Sequence, residues 1–479
     1  MQPRHQGYTL GEDADGGHVA NCAMDTDICP NRDRFALSVS KSRRGRGERS
    51  VPLEISAIYR VVRNVRRKGR VSRVWETGCM TVRTALMELP HLVAVPGRPF
   101  GIYIHVPFCA TRCGYCDFNT YTPAELGGAN PYGWLEALRA ELGLAASRLA
   151  SPHRLSPPHV RRQVDTVFVG GGTPSLLGGD GLATVLDALR AHFTLAADAE
   201  VTTEANPEST SPRFFERLRA AGFTRVSLGM QSLAPHVLAV LDRVHSPGRA
   251  LDAAREARGA GFDHVNLDLI YGTPGESDDD LRRSVDAAID AGVDHVSGYA
   301  LVVEDGTALA RRVRRGEIAA PDNDVLAQRY ELLDARLSAA GFDWYEVSNW
   351  SRPGGECRHN IGYWNGGEWW GAGPGAHGYV GATRWWNVKH PNAYAQSLGE
   401  GVLPVADFEQ LDADTRHIED VMLRLRLRDG LPMAVLSAGE RARAETVISD
   451  GLIELHGNRL VLTDRGRLLA DAAVRTLLD

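Results

Sequence analysis

No stretch of this 479-residue sequence comes near the roughly eighteen consecutive apolar residues that a membrane-spanning helix needs. The N-terminus, MQPRHQGYTLGEDADGG, lacks the apolar core of a secretory signal. Cysteine is scarce and odd in number: Cys22, Cys29, Cys79, Cys109, Cys113, Cys116 and Cys357 are all there is. A disulfide framework calls for a denser, even set in an exported chain, so reduced thiols in a cytoplasm are expected. That leaves the thiols for metal work. A formal net charge of −6 gives no sign of a nucleic-acid surface, and 24% charged with 43% hydrophobic residues is ordinary for a globular protein. The length allows two or three domains.

The charge is unevenly spread. KSRRGRGER (Lys41 to Arg49) and RNVRRKGRVSR (Arg63 to Arg73) are strongly basic, with few periodic apolar positions around them. Residues 1–97 therefore read as a basic, disordered extension, or as sequence upstream of a later start at Met80 or Met87. Basic arms also suit a peripheral contact with acidic lipid or nucleic acid; the acidic balance of the whole chain argues against nucleic acid.

From Gly101 the texture changes. GIYIHV (101–106), DTVFVGGG (165–172), AEVTTEAN (199–206), RVSLGMQS (225–232), HVNLDLIYG (264–272) and HVSGYALV (295–302) have the β-branched, near-continuously apolar character of buried parallel strands. Amphipathic stretches separate them, several ending on glycine. Six such units predict an α/β fold, an open partial (β/α)6 barrel over 98–305, with functional side chains at the C-terminal strand ends. Past about Asp305 the alternation stops. A long helix, NDVLAQRYELLDARLSAAG, leads into a glycine- and tryptophan-rich stretch without clear periodicity, so 306–400 is expected to be an α+β extension. Residues 401–479 predict a small helical, winged-helix-like tail, in which GLIELHGNRLVLT turns at HGN and the capped helix TDRGRLLADAAVRTLL follows. This tail is expected to pack on the barrel.

The segment VPFCATRCGYCDF holds Cys109, Cys113 and Cys116 as C-x3-C-x2-C directly after the first strand. Thiolates in a tight loop hold iron or zinc, and three inert cysteines at this spacing are improbable. A zinc site would need a fourth ligand, from Cys357 or His105.

With an aromatic, Tyr115, before the last cysteine, the loop resembles the radical S-adenosylmethionine superfamily. There three thiolates hold a [4Fe–4S] cluster, and the iron they leave open binds S-adenosylmethionine. That resemblance accounts for three cysteines in place of four. YIHVPFC, GGGTPS, EANP, LGMQS and LDLIYGTPGE follow in order at successive strand ends and resemble the oxygen-independent coproporphyrinogen III oxidase family with its HemW-type heme-chaperone branch. The resemblance covers the chain from about Arg98 to its end. It implies cluster ligation by Cys109, Cys113 and Cys116, and cofactor contacts from Tyr103, Tyr115, Gly171, Gly172, Thr173, Glu204, Gln231, Arg243, Asp268 and Ala300. The glycines of GGGT, lacking side chains, are expected to let backbone N–H groups approach a ligand.

Two features point to the chaperone branch. The oxidase carries a further cysteine two positions after the third; here that position is Phe118. HNIGYW, His359 to Trp364, resembles the H-N-x-x-Y-W signature of the chaperones. Histidine is a natural axial ligand of heme iron, so His359 is expected to contact heme, and a hydrogen-bonded packing role is the alternative. Cys357, two residues earlier, is a second candidate ligand. By resemblance the partners are heme, apo-hemoproteins of the respiratory chain and an electron donor of flavodoxin or ferredoxin type. Oxidative decarboxylation of porphyrinogen propionates and radical C-methylation are the competing activities, and no catalytic residue is assigned.

Overall fold

The computed structural model describes residues 88–150, 162–243 and 246–479, all within one compact unit. The basic stretches at 41–49 and 63–73, and both candidate later starts, lie outside the described residues.

Six parallel strands form where the apolar runs predict them: β1 (Phe100–Val106), β2 (Gln163–Gly171), β3 (Thr194–Ala205), β4 (Arg225–Gln231), β5 (His264–Tyr271) and β6 (His295–Ala300). They neighbour one another in chain order. Both faces are covered, which is why the runs are apolar without alternation; every residue of β4 is buried. The crossovers are α1 (Pro131–Leu149), α2 (Gly178–His192), α3 (Pro212–Ala221), α4 (Pro235–Val240), α5 (Arg249–Gly259) and α6 (Asp278–Asp290). Their starts follow local chemistry. Ser211 caps α3 with Pro212 in the first turn, and Ser277 and Asp280 close a reciprocal capping box at α6.

The region after Asp305 is α+β, as expected, although the sequence does not place its strands individually. Beyond α7 (Ala308–Arg314) and α8 (Asn323–Ala339), it supplies six further strands. β7 (Asp343–Glu346) and β8 (Asn349–Ser351) add antiparallel to β6. On the other edge β9 (Glu368–Ala372) pairs parallel with β1, followed by β10 (His377–Val380), β11 (Thr383–Asn387) and β12 (Val405–Gln410). The result is one twelve-stranded sheet, ending on β12 and β7, with no closed barrel. The helix α9 (Arg358–Trp364) carries HNIGYW and packs against β1 and β2; α10 (Pro391–Gly399) lies against α1.

The tail comprises α11 (Ala413–Arg424), α12 (Ala438–Ser449), α13 (Asp464–Leu468) and α14 (Ala470–Leu478) around β13 (Leu431–Pro432), β14 (Ile453–His456) and β15 (Arg459–Leu462). The β14–β15 turn falls at Gly457 and Asn458, as expected, but the last helix breaks in two at Leu469. The tail has its own apolar core, into which Val347 and Trp364 of the preceding region also pack. Arg467 binds Asp334 of α8 at 2.6 and 2.8 Å, so the tail docks on the barrel. At the other end the fold begins before residue 98. Leu89 and Leu92 are buried in the main core, and the Val95 N–H donates to Glu368 at 3.0 Å.

Candidate functional site

The cysteine loop leaves the C-terminal end of β1 and is fixed by backbone bonds. Cys109 N–H donates to the Tyr121 carbonyl (3.0 Å), and Tyr121 N–H to that of Pro107 (2.8 Å). Further along, Gly114 donates to Leu241 (3.0 Å) and accepts from Leu309 (2.8 Å). The loop is thereby tied to the segments after β4 and β6. Cys109, Cys113 and Cys116 are half-buried, free of disulfides, and line one cavity of about 670 Å³ that runs down into the sheet. Thr173 Oγ1 donates to Cys109 Sγ at 3.6 Å, and Arg243 Nη1 to Cys113 Sγ at 3.5 Å. Burial pushes the Cys116 thiol up to about 11, and the neighbouring thiols add to it. Burial also raises Cys109. A cationic metal group would reverse that cost by stabilising the thiolates.

The residues present fit a multinuclear cluster better than a single ion. Among the described residues no three His, Cys, Asp or Glu side chains converge on one metal-sized point, although the three thiols share a cavity. The fourth ligands a zinc site would use are committed elsewhere. His105 binds Tyr103 Oη through Nδ1 (3.0 Å) and the Asn119 carbonyl through Nε2 (2.9 Å). Cys357 lies toward the N-terminal ends of the strands, where its thiol donates to Glu200 at 3.4 Å. Among the described residues, several buried side-chain atoms of residues lining the cavity have no hydrogen-bond partner: Thr120 Oγ1, Thr202 Oγ1, Arg225 Nη1, Gln231 Oε1, Arg243 Nε and Trp364 Nε1. Gln231 also holds a left-handed backbone (φ 61°) at the end of β4. Unfilled polar groups and backbone strain together mark a place built to receive something.

The other expected contacts gather there too. Tyr103, Tyr115, Gly171, Gly172, Thr173, Glu204, Gln231, Arg243, Asp268, Ala300 and His359 all line the cavity with the cysteines. Glu204 accepts from the Gly171 N–H at 2.9 Å; burial first, then the charge of Asp268, pushes its carboxyl up to about 8. Asp268, raised by burial, accepts from Ser227 (3.0 Å) and Asn266 (2.7 Å).

The role expected of the glycine segment needs correction. The N–H groups of Gly171, Gly172 and Thr173 do not face a ligand, because they donate to Glu204, the Val106 carbonyl (2.7 Å) and the Phe108 carbonyl (2.7 Å). What the glycines provide is room. A Cβ on Gly172 would stand 2.5 Å from the Phe108 carbonyl oxygen, and one on Gly171 would stand 2.6 Å from the His105 ring. The turn can thus lie directly under the cysteine loop.

His359 also differs from expectation. It is buried with both ring nitrogens engaged: Nδ1 with Thr166 Oγ1 and Nε2 with Tyr363 Oη, each at 2.8 Å. Burial lowers its pKa to about 4. This is the packing role; neither nitrogen is left for iron in this arrangement. Around it lie residues that the sequence reading missed. Glu200 accepts from Arg225 Nε (3.1 Å), the backbone N–H groups of Arg358 and His359 (3.0 Å each) and the Cys357 thiol. Burial would raise that carboxyl, but the Arg225 charge and these donors outweigh it and hold it low. His295 binds Asn266 (2.7 Å) and Tyr345 (2.9 Å) nearby. The available signal was period two: Glu200 and Glu204 fall on the same face of one strand.

A parallel sheet with a three-cysteine loop after its first strand defines a radical SAM protein, and residues 103–288 match the Radical SAM superfamily. Residues 411–469 match the HemN C-terminal domain. The heme chaperone HemW of Mycobacterium tuberculosis is 73% identical over 399 residues, covering 83% of this chain and all of the relative. The Escherichia coli protein of the same name is 33% identical over 393 residues, 79% of this chain and 98% of its own. The chain belongs to the HemW family. Its fold is also that of the Escherichia coli coproporphyrinogen III oxidase HemN, with a TM-score of 0.68 at 22% identity over 80% of this chain and 91% of the other. Radical SAM membership implies a [4Fe–4S] cluster and S-adenosylmethionine. Among the described residues no helix is long and apolar enough to cross a membrane.

Proposed function

We propose that this chain is a heme chaperone: it binds heme and passes it to apo-hemoproteins of the respiratory chain, from the cytoplasm. The observation that carries the reading is the match, over nearly the whole length of the relatives, to chains named heme chaperone HemW. Phe118 supports it. Two positions after Cys116, where the oxidase pattern has another cysteine, a phenylalanine stands with 53% of its surface exposed.

In this reading Cys109, Cys113 and Cys116 hold the cluster. When bound, the cluster and S-adenosylmethionine supply one-electron chemistry, with a flavodoxin- or ferredoxin-type donor as its source. The chain's own residues position and shield. Glu204 and Asp268 offer carboxyl groups to the cofactor's ammonium or ribose hydroxyls. Gln231 and Arg243 bring the unfilled atoms described above, Tyr103 and Tyr115 cover the chamber, Ala300 leaves space at the end of β6, and the Gly171–Thr173 turn sets its floor. Arg243 donates to the Cys113 sulfur and helps to fix its position.

Anaerobically reconstituted protein tests the reading directly. One hemin per chain, transferable to a heme-free cytochrome, with no consumption of coproporphyrinogen III, is the expected result. Conversion of coproporphyrinogen III to a vinyl product with release of deoxyadenosine would replace the chaperone reading with the oxidase one. A methylated product would point to a methyltransferase.

A further inference from the structure

Outside the barrel, on the far side of α9 from the cysteine chamber, lies a second cleft of about 350 Å³. Its walls come from β9, β10, the end of α9 and α11. Tyr363, Trp364, Trp369 and Tyr379 line it. The Trp369 ring stands 4.6 Å from that of Tyr363, edge to face, and 5.5 Å from that of Tyr379. With Leu411, these rings form an apolar cluster separate from the main cores. Trp364 is 1% exposed, yet its indole N–H has no acceptor among the described residues. A buried indole N–H normally finds a partner, so this one is an open donor on a ring that, like Tyr363, lines both cavities.

The rim carries both signs of charge, but its acids are engaged: Glu419 accepts from Arg384 at 3.2 Å and Asp420 from Arg424 at 3.3 Å. Arg98 hydrogen-bonds the Tyr379 hydroxyl, and the charges of Glu419 and Arg416 act on the same group in opposite directions. Neither arginine forms an ion pair with a carboxylate among the described residues. Beside Arg416 on α11, His417 holds Glu440 Oε1 through Nε2 at 2.7 Å, and Ser437 N–H fixes the other oxygen of Glu440 at 2.7 Å. Nδ1 of His417 has no partner among the described residues. A metal-binding histidine commonly has its second nitrogen oriented by a carboxylate in this way. Flat aromatic walls, two arginines outside any ion pair among the described residues and one oriented imidazole match a planar iron macrocycle with two acidic arms.

We propose, on the strength of the heme-chaperone reading, that this outer cleft seats the heme, with Arg98 and Arg416 taking its carboxylates and His417 its iron. The cleft is smaller than a whole porphyrin, so one edge stays in solvent, as suits a group that is handed on. Tyr363 then has two tasks. Its ring forms the cleft wall, while its hydroxyl holds His359 inside the barrel, so it lines both cavities. His359 is a positioning residue for that wall.

The test is titration of the full chain with hemin, followed by the Soret band, and with metal-free protoporphyrin IX, followed by fluorescence. His417→Ala and His417→Gln should each move the Soret band and weaken hemin binding by about tenfold or more, while metal-free porphyrin binds as before. Arg98→Glu with Arg416→Glu should weaken both porphyrins without moving the band. His359→Gln should keep the band position. A band that moves with His359→Gln and not with either His417 variant overturns the proposal, as does unchanged affinity in the double arginine variant. If the unaltered chain takes up no hemin, the chaperone reading itself falls. Far-ultraviolet circular dichroism of each variant separates loss of a ligand from loss of the fold.

Discussion

Glu200 and Glu204 sit four residues apart on β3, side chains on the same face, in opposite electrostatic surroundings. Glu200, toward the start of the strand, is held low by Arg225 and saturated by donors from α9. Glu204, at the strand end under the cysteine loop, has one N–H and a neighbouring acid, and its carboxyl is pushed up to about 8. A similar contrast separates other residues of the chamber. At the mouth, atoms of Gln231 and Arg243 are unfilled; at the base, both nitrogens of His359 are spent. Unfilled atoms alone do not mark the mouth, since Arg225 Nη1 and Thr202 Oγ1 also lack partners among the described residues; what sets the mouth apart is that its unfilled atoms stand beside a raised carboxyl and three thiols. Residue type alone does not tell mouth from base.

The largest expected effect is at the mouth. Cys113→Ser should abolish the brown chromophore of the reconstituted protein with little change in thermal stability; iron and sulfide contents equal to those of the unaltered chain would break the assignment. At the base the order reverses. Glu200→Ala strands Arg225, already lacking a partner for Nη1, and should cost roughly 3–5 kcal/mol in urea unfolding, since it removes one side of a buried pair. A cost near zero would mean that Glu200 is no anchor.

The pH dependences should also be opposite. Glu204 keeps its proton in the fold up to about pH 8 but loses it near 4.5 when unfolded, so its contribution to stability falls as pH rises through that window. Glu204→Gln should flatten that slope in cofactor-free protein. If its carboxylate holds the cofactor, S-adenosylmethionine affinity should rise as pH climbs toward about 8, and the variant should lose that rise. Glu200, with its folded pKa below the ordinary 4.5, contributes stability above that value and loses it as pH falls through the lowered one. The smallest effect is Tyr363→Phe, which removes one hydrogen bond to His359 and should cost about 1 kcal/mol, read by the same unfolding titration.

The parallel strands were legible because burial on both faces writes an apolar run, and the cysteine loop because its spacing survives without context. The outer strands were not. β7 to β11 are three to five residues long, too short for a period to show, and β9 (EWWGA) is buried throughout. Leu89 and Leu92 join the core from a short stretch, ELPHLVAVPG, that lies between the basic extension and the first strand and has no period of its own to show. The state of His359 was hidden for another reason: its partner Thr166 lies 193 residues away, so HNIGYW shows the imidazole without what occupies it. The arrangement of Gly171 to Thr173 was likewise set by the turn's contact with the cysteine loop, which only the fold reveals.

The cysteine mouth is tested most directly by electron paramagnetic resonance of the reduced, reconstituted protein, recorded before and after adding S-adenosylmethionine. A cubane-type signal whose shape changes on addition of the cofactor, and which is lost in Cys113→Ser, is the expected result. A signal indifferent to the cofactor, or zinc in place of iron and sulfide, would contradict an open iron held by three thiolates.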